Sequence, residues 1–178
     1  TDKKSEDFVG LGLSDRSFFE QIIPILKNIN ESHDKYMGKI ITLSNHSPFD
    51  DVTKYGNIDL GYLNDTEMGN YLKSAHYADK CLGYFFDMIK KNGLDKDTVF
   101  ILYGDHEAKL GKKNFNLLYN YNEVTDDYKS VDDPTYVNLD NYQYDMLKNT
   151  PLIILSSDGI ISSEVKDVVG MWDVYPTV

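Results

Sequence analysis

The chain has 178 residues, 41% hydrophobic and 13% aromatic, which is enough to bury a core and excludes the composition of a disordered segment. Lys and Arg number 18 against 29 Asp and Glu, a formal charge of −11, which argues against a nucleic-acid backbone as partner, since that needs clustered cations. A small anionic substrate stays open, because one bound metal ion inverts the local field.

Taken in chain order, residues 1–13 read as a polar lead-in with two glycines. Ser14 is a good N-cap for "DRSFFEQIIPILKNINES", where Phe18, Ile22, Ile25, Leu26 and Ile29 recur at helical spacing. Pro24 is expected to kink or break that helix. "GKIITLSN" (38–45) reads as a short buried strand, followed by a turn-rich loop over 45–57. The clearest helix is 66–92, with Met68, Tyr71, Ala75, Ala78, Leu82, Phe85 and Ile89 at spacings of three and four. Asp65 or Thr66 starts it and Gly93 ends it.

A buried strand is expected over 98–103, then a polar, tyrosine-rich insert of weak periodicity over 108–148. A third strand candidate, "TPLIILSS" (150–157), precedes a turn at "SDG". Strand, long helix, strand, insert, strand is the pattern of a mainly parallel sheet flanked by helices, an α/β fold. In such sheets ligands bind outside the carboxyl ends of the strands, where Ser44–Pro48 and Gly104–His106 both fall. Cys81 is the single cysteine, so no disulfide framework exists, and neither a membrane span of roughly 18 apolar residues nor a signal peptide is visible. The start at Thr1 and the stop at Val178, inside "DVVGMWDVYPTV", lead us to expect a fragment of a longer domain, 1–178 being one unit.

Two short stretches carry candidate chemistry. In "YGDHE" the acid and imidazole of Asp105 and His106 are both good donors to a zinc- or manganese-like ion, and Gly104 lets the backbone turn as the strand ends. The bland alternative is that Asp105 caps the next segment and His106 is simply exposed. In "SNHSPF", His46 can hydrogen-bond an anionic oxygen, ligate a metal, act as a general acid, or do none of these. His33 and His76 have weaker claims. Thr42, Ser44 and Ser47 are possible hydroxyls without a clear base, and there is no G-x-S-x-G elbow, P-loop or dinucleotide fingerprint.

"GLSDRSFFEQIIPIL", "ITLSNHSPFDD", "HYADKCLGYFFDMIKKNGLDKDTVFILYGDHEAKL", "TPLIIL" and "GMWDVYPTV" follow one another in an order that resembles the extracellular catalytic domain of lipoteichoic acid synthases and related membrane phosphoglycerol transferases, in the sulfatase-like branch of the alkaline phosphatase superfamily. The resemblance covers roughly 10–120 and 150–178. It implies that Asp105 and His106 ligate a divalent ion, typically Mn2+ with Mg2+ or Zn2+ as alternatives, and that His46 contacts the phosphoglycerol group. Tyr77 and Asp79 match a Y-x-D for which packing is the expected role.

The family's threonine nucleophile, an acidic metal ligand and an aromatic-plus-arginine segment have no counterpart in this chain. No catalytic nucleophile is therefore assigned, and the isolated chain is expected to be inactive. The implied reaction passes phosphoglycerol from phosphatidylglycerol to a growing glycerolphosphate polymer at the outer face of a cell membrane, with N-terminal helices anchoring the parent. Another superfamily hydrolase, a phosphoethanolamine transferase, or a non-catalytic glycerolphosphate-binding module are the competing readings.

Overall fold

A computed structural model describes residues 7–157 and 163–177. The lead-in closes on itself: β1 (Phe8–Val9) pairs antiparallel with β2 (Gly12–Leu13), around a turn in which Gly10 takes φ 59°. Helix α1 (Asp15–Ser32) then starts where the sequence predicts, with the Ser14 hydroxyl accepting from the Ser17 N–H at 3.1 Å. It runs uninterrupted through Pro24, so the expected break is absent. Pro24 and Glu20 are both exposed, so the Glu20 carbonyl that loses its helical donor faces water. The buried face centres on Phe19 and Ile23, one residue round from the predicted stripe, and Ile25 is exposed.

The predicted strand at 38–45 does not form: residues 35–43 have no regular secondary structure. Without a neighbouring strand, its last amides find another acceptor. The N–H groups of Leu43 and Ser44 donate to the buried Asp15 carboxylate at the start of α1, at 2.9 and 3.1 Å.

Helix α2 (Glu67–Lys91) matches its prediction within a residue at each end. Thr66 caps it, and Gly93, at φ 67°, closes it just past the cap residue Asn92. There the N–H groups of Gly93 and Leu94 donate to the Lys90 and Ile89 carbonyls. This is the Schellman arrangement, which needs a left-handed residue at that position. Phe19 and Ile23 of α1 pack on Cys81, Phe85 and Ile89 of α2, with Leu94, and partly buried Ile40 and Phe100 lean on the same cluster.

The longest strands correct the parallel-sheet expectation. β3 (Val99–Tyr103) pairs antiparallel with the later strand Leu152–Ser156, in the register Val99↔Ser156 to Tyr103↔Leu152. A parallel pairing needs a crossover that returns the chain to the opposite end of the sheet. Residues 104–151 instead leave β3 and come back beside the same end. They are also more ordered than their periodicity implied. They hold α3 (Lys112–Asn120), a small hairpin of β4 (Tyr121–Asn122) and β5 (Asp127–Tyr128), and α4 (Asn141–Met146) with an Asp140–Gln143 capping box.

The returning strand is β6 (Leu152–Ser156). β3 is less buried than expected, with Val99 exposed and its three central residues half-buried, and in β6 Ile153, Ile154 and Leu155 are exposed. A short helix α5 (Val174–Thr177) follows a single 3-10 turn, Met171–Asp173. Most of the predicted "SDG" turn, and residues 1–6 of the lead-in, lie outside the described residues.

The candidate metal and substrate site

The two histidine-bearing loops are brought together by a small apolar cluster. Phe49, from "SNHSPF", is 3% exposed and packs with Met68 of α2 and with Leu110, which lies just beyond "YGDHE". Tyr71, Leu72, Ala108 and Phe115 surround this trio, and the Phe49 and Tyr71 rings meet edge-on at 5.4 Å. Phe49 holds φ 61°, a left-handed conformation that costs a non-glycine residue about 1–2 kcal/mol. Burying its ring returns about 1.5–3 kcal/mol, enough to hold it there. One residue before His46, Asn45 is fastened to α2, where the buried Ser74 hydroxyl donates to the Asn45 side-chain oxygen at 2.5 Å.

The second loop leaves β3 at Gly104. The Gly104 N–H donates to the Pro151 carbonyl at 3.3 Å, and the Thr150 hydroxyl donates to the Gly104 carbonyl at 3.2 Å. A Cβ at residue 104 would sit 2.9 Å from Thr150 Cβ. Glycine is needed here for close approach of two backbones, rather than for the sharp turn the sequence implied. Asp105 caps nothing: the next helix begins at Lys112 behind Gly111.

As a result the rings of His46 and His106 lie 6.5 Å apart, edge to face. Each Nδ1 contacts a backbone carbonyl of the next residue, Ser47 at 2.7 Å and Glu107 at 2.6 Å. A carbonyl only accepts, so Nδ1 carries the hydrogen in both rings, and the neutral form of each presents its lone pair at Nε2. This is the usual preparation of a metal-binding imidazole, whose second nitrogen is held by a backbone acceptor.

His106 Nε2 lies 3.9 Å from Asp105 Oδ2. That fits within the roughly 4.4 Å span of two donors each about 2.0–2.2 Å from one ion. The Asp105 and His106 side chains are 80% and 41% exposed, so an ion could reach them. Among the described residues no three His, Cys, Asp or Glu side chains gather as one cation site. The chain thus presents an oxygen and a nitrogen donor, which suit a divalent ion, and not a closed cage.

The remaining sequence candidates fall elsewhere. His33 ends α1 beside Ser32, and His76 is half-buried along α2. The fully buried Ser44 hydroxyl accepts from the Asp15 N–H at 2.8 Å and is no nucleophile. Tyr77 packs near Tyr55 at 6.0 Å, whereas Asp79 is exposed. A cavity of about 190 Å³ at Phe86, Phe100 and Leu155 and another of about 390 Å³ at Thr53, Asp59 and Lys73 are lined without either histidine, so the histidine pair lies outside both. Sequence reasoning missed Asp15, Ser44, Asn45 and Ser74 as the groups that fasten the His46 loop. Their partners lie 28 or 29 residues away in the chain, and no local pattern reports such pairings.

Comparison with known proteins finds relatives of the chain as a whole. The sulfatase family model matches residues 1–178. Lipoteichoic acid synthase 2 of Bacillus subtilis is 30% identical over 177 residues, 99% of this chain and 25% of that protein. Lipoteichoic acid synthase of Staphylococcus aureus (strain USA300) is 30% identical over 105 residues, 59% of this chain and 16% of that protein. Among solved structures, the lipoteichoic acid synthase LtaP from Listeria monocytogenes superposes with a TM-score of 0.56 at 34% identity, over 71% of this chain and 33% of that one. The chain therefore spans about a quarter of the length of the first relative and a third of the solved chain.

Proposed function

The chain belongs to the sulfatase family, and from that premise we propose that it is part of a single sulfatase-like domain that transfers phosphoglycerol with the help of a divalent metal. The donor in this reading is phosphatidylglycerol and the acceptor a growing glycerolphosphate polymer, at the outer face of a cell membrane. No helix among the described residues is long and apolar enough to cross a membrane; in this reading N-terminal helices of the parent protein supply the anchor. The observation that carries the reading is the 6.5 Å approach of His46 to His106, which gathers the "SNHSPF" and "YGDHE" motifs into one site although they are sixty residues apart. Similarity to three lipoteichoic acid synthases supports the same reaction class.

Asp105 and His106 would hold the ion, preferentially manganese. When bound, it lowers the pKa of an attacking hydroxyl and neutralises charge on the phosphoryl oxygens. The chain's own contribution is orientation. Nδ1 of His46 is committed to the Ser47 carbonyl, which leaves the Nε2 lone pair of the neutral ring to accept from a glycerol hydroxyl, and Nε2–H of the protonated ring to donate to a phosphoryl oxygen as charge develops there. The nucleophile is a threonine from outside these residues. Its oxygen bonds to phosphorus as the bond to diacylglycerol breaks and that alcohol takes up a proton; a polymer-terminal hydroxyl then displaces the threonine.

Titration of the chain with Mn2+, followed by electron paramagnetic resonance, tests the ligand assignment. We expect weak binding, because only two donors are present, and its loss in Asp105→Ala and in His106→Gln. Binding that survives both substitutions refutes the assignment. Glycerol phosphate added with Mg2+ should shift the His46 ring signals, and signals that stay fixed would remove His46 from the substrate site.

A further inference from the structure

The stretch that delivers His46 has no strand beside it, yet three successive residues of it are held by buried polar side chains from two different helices. From α1, Asp15 Oδ1 accepts from the N–H groups of Leu43 and Ser44, and the Asp15 N–H donates back to the Ser44 hydroxyl. From α2, the Ser74 hydroxyl holds the Asn45 side chain. Asp15 is 2% exposed, and Ser44 and Ser74 are 0% exposed. The next amide, that of His46, donates to the Leu43 carbonyl at 3.1 Å, so the His46 backbone hangs on the clamped residues.

We infer that Asp15 and Ser74 are positioning residues for His46, acting on its ring through the backbone of Leu43–Asn45. Helix capping does not account for Asp15. Ser14 already caps α1, and the Asp15 oxygen that makes these contacts is committed to the loop instead. Its position in the first turn of α1 lets the helix dipole offset the cost of burying the carboxylate. An apolar residue would fill the same space but would take the acceptor from the buried Ser44 N–H and from the part-buried Leu43 N–H, so the site selects for an acceptor. The bond of His46 Nδ1 to the Ser47 carbonyl is made only while the backbone at 46–47 keeps its turn, and the clamp keeps it.

The inference rests on reading His46 as the substrate-facing residue, but its test needs neither substrate nor metal and so stands or falls separately. In the metal-free chain, two-bond 1H–15N correlations at a pH where imidazoles are neutral report which ring nitrogen carries the hydrogen. A His46→Gln sample identifies the His46 signals among the four histidines. The wild type is expected to hold His46 as the Nδ1-protonated form. Asp15→Ala should make that form the minor one and leave the His106 pattern unchanged, because the His106 loop is tied down by Gly104 and Leu110. Asp15→Asn, which keeps an acceptor oxygen, should restore the wild-type pattern. A His46 pattern in Asp15→Ala identical to wild type, or His46 and His106 changing together, overturns the inference. If Asp15→Ala does not fold, Ser74→Ala decides by the same criteria from the opposite helix.

Discussion

Gly104→Ala isolates the contact that sets the metal-binding loop against the returning chain. The added Cβ would lie 2.9 Å from Thr150 Cβ and 3.0 Å from Thr150 Cγ2. Carbon atoms pack best at about 3.5–4.0 Å, so the two segments must part by roughly 0.5–1 Å. Overpacking of this kind costs about 1–3 kcal/mol. The same movement stretches two hydrogen bonds, Gly104 N–H to Pro151 and Thr150 hydroxyl to Gly104, each contributing about 0.5–1.5 kcal/mol. Both are already long and lose only part of that, so the expected total is about 2–4 kcal/mol. For a chain of this size that lowers the melting temperature by roughly 4–16 °C.

The backbone at Gly104 does not require a positive φ, so steric contact with Thr150 is the whole of the argument. Thermal and urea unfolding of Gly104→Ala, Thr150→Gly and the double variant form a cycle that isolates the contact. Thr150→Gly removes the opposing Cβ, and the double variant should be less destabilised than the sum of the single ones. A coupling near zero, or a Gly104→Ala protein as stable as the wild type, refutes the reasoning.

Asn120→Ala tests whether one buried amide organises the insert. Its side chain accepts from the Val137 N–H at 2.7 Å and donates to the Asn116 and Val137 carbonyls, so the substitution should cost about 2–4 kcal/mol and speed hydrogen exchange at the Val137 amide. Unchanged exchange there would show that residues 137–139 are held by something else. Burial, against a weaker pull from the Ser14 hydroxyl, pushes the Tyr77 phenol up to about 12, while an unfolded tyrosine titrates near 10. Between those values the unfolded state releases a proton that the folded state keeps, so the Tyr77 contribution is intact below pH 10 and is lost as pH rises towards 12. Tyr77→Phe should flatten the fall in stability over that window, measured by urea midpoints; an identical slope would remove Tyr77 as its source.

What the sequence made legible was local. The stripe on α2 and the caps at Ser14, Thr66 and Gly93 are written within a few residues of where they act, and the structure keeps them. "YGDH" and "SNHSPF" were visible as motifs for the same reason. The run "GKIITLSN" shows the limit of that reading. Its β-branched composition fits a strand, but a strand needs a neighbour, and its last amides are instead satisfied by Asp15, 28 and 29 residues away. The direction of pairing between β3 and β6 was equally hidden, since both parallel and antiparallel partners read as short apolar runs. In α1 the second phenylalanine, Phe19, takes the inner face and displaces the predicted stripe by about one residue, while in α2 the stripe holds at Met68, Phe85 and Ile89 and only its middle shifts, to the small or polar Ser74 and Cys81.

The facing of Tyr103 and Leu152 in the β3–β6 ladder has a consequence for how this region can change. Everything between them departs and re-enters through one doorway, as a cassette does. Doubling or halving such an excursion alters the entropy of closing it by only about 0.6 kcal/mol, and neither strand has to move in register. Asp105 and His106 stand on the threshold itself, within three residues of the last ladder pair, whereas the tyrosine-rich remainder hangs beyond it. The metal-facing pair can thus stay fixed while the rest of the cassette is lengthened, trimmed or exchanged, leaving that remainder free to diverge among relatives.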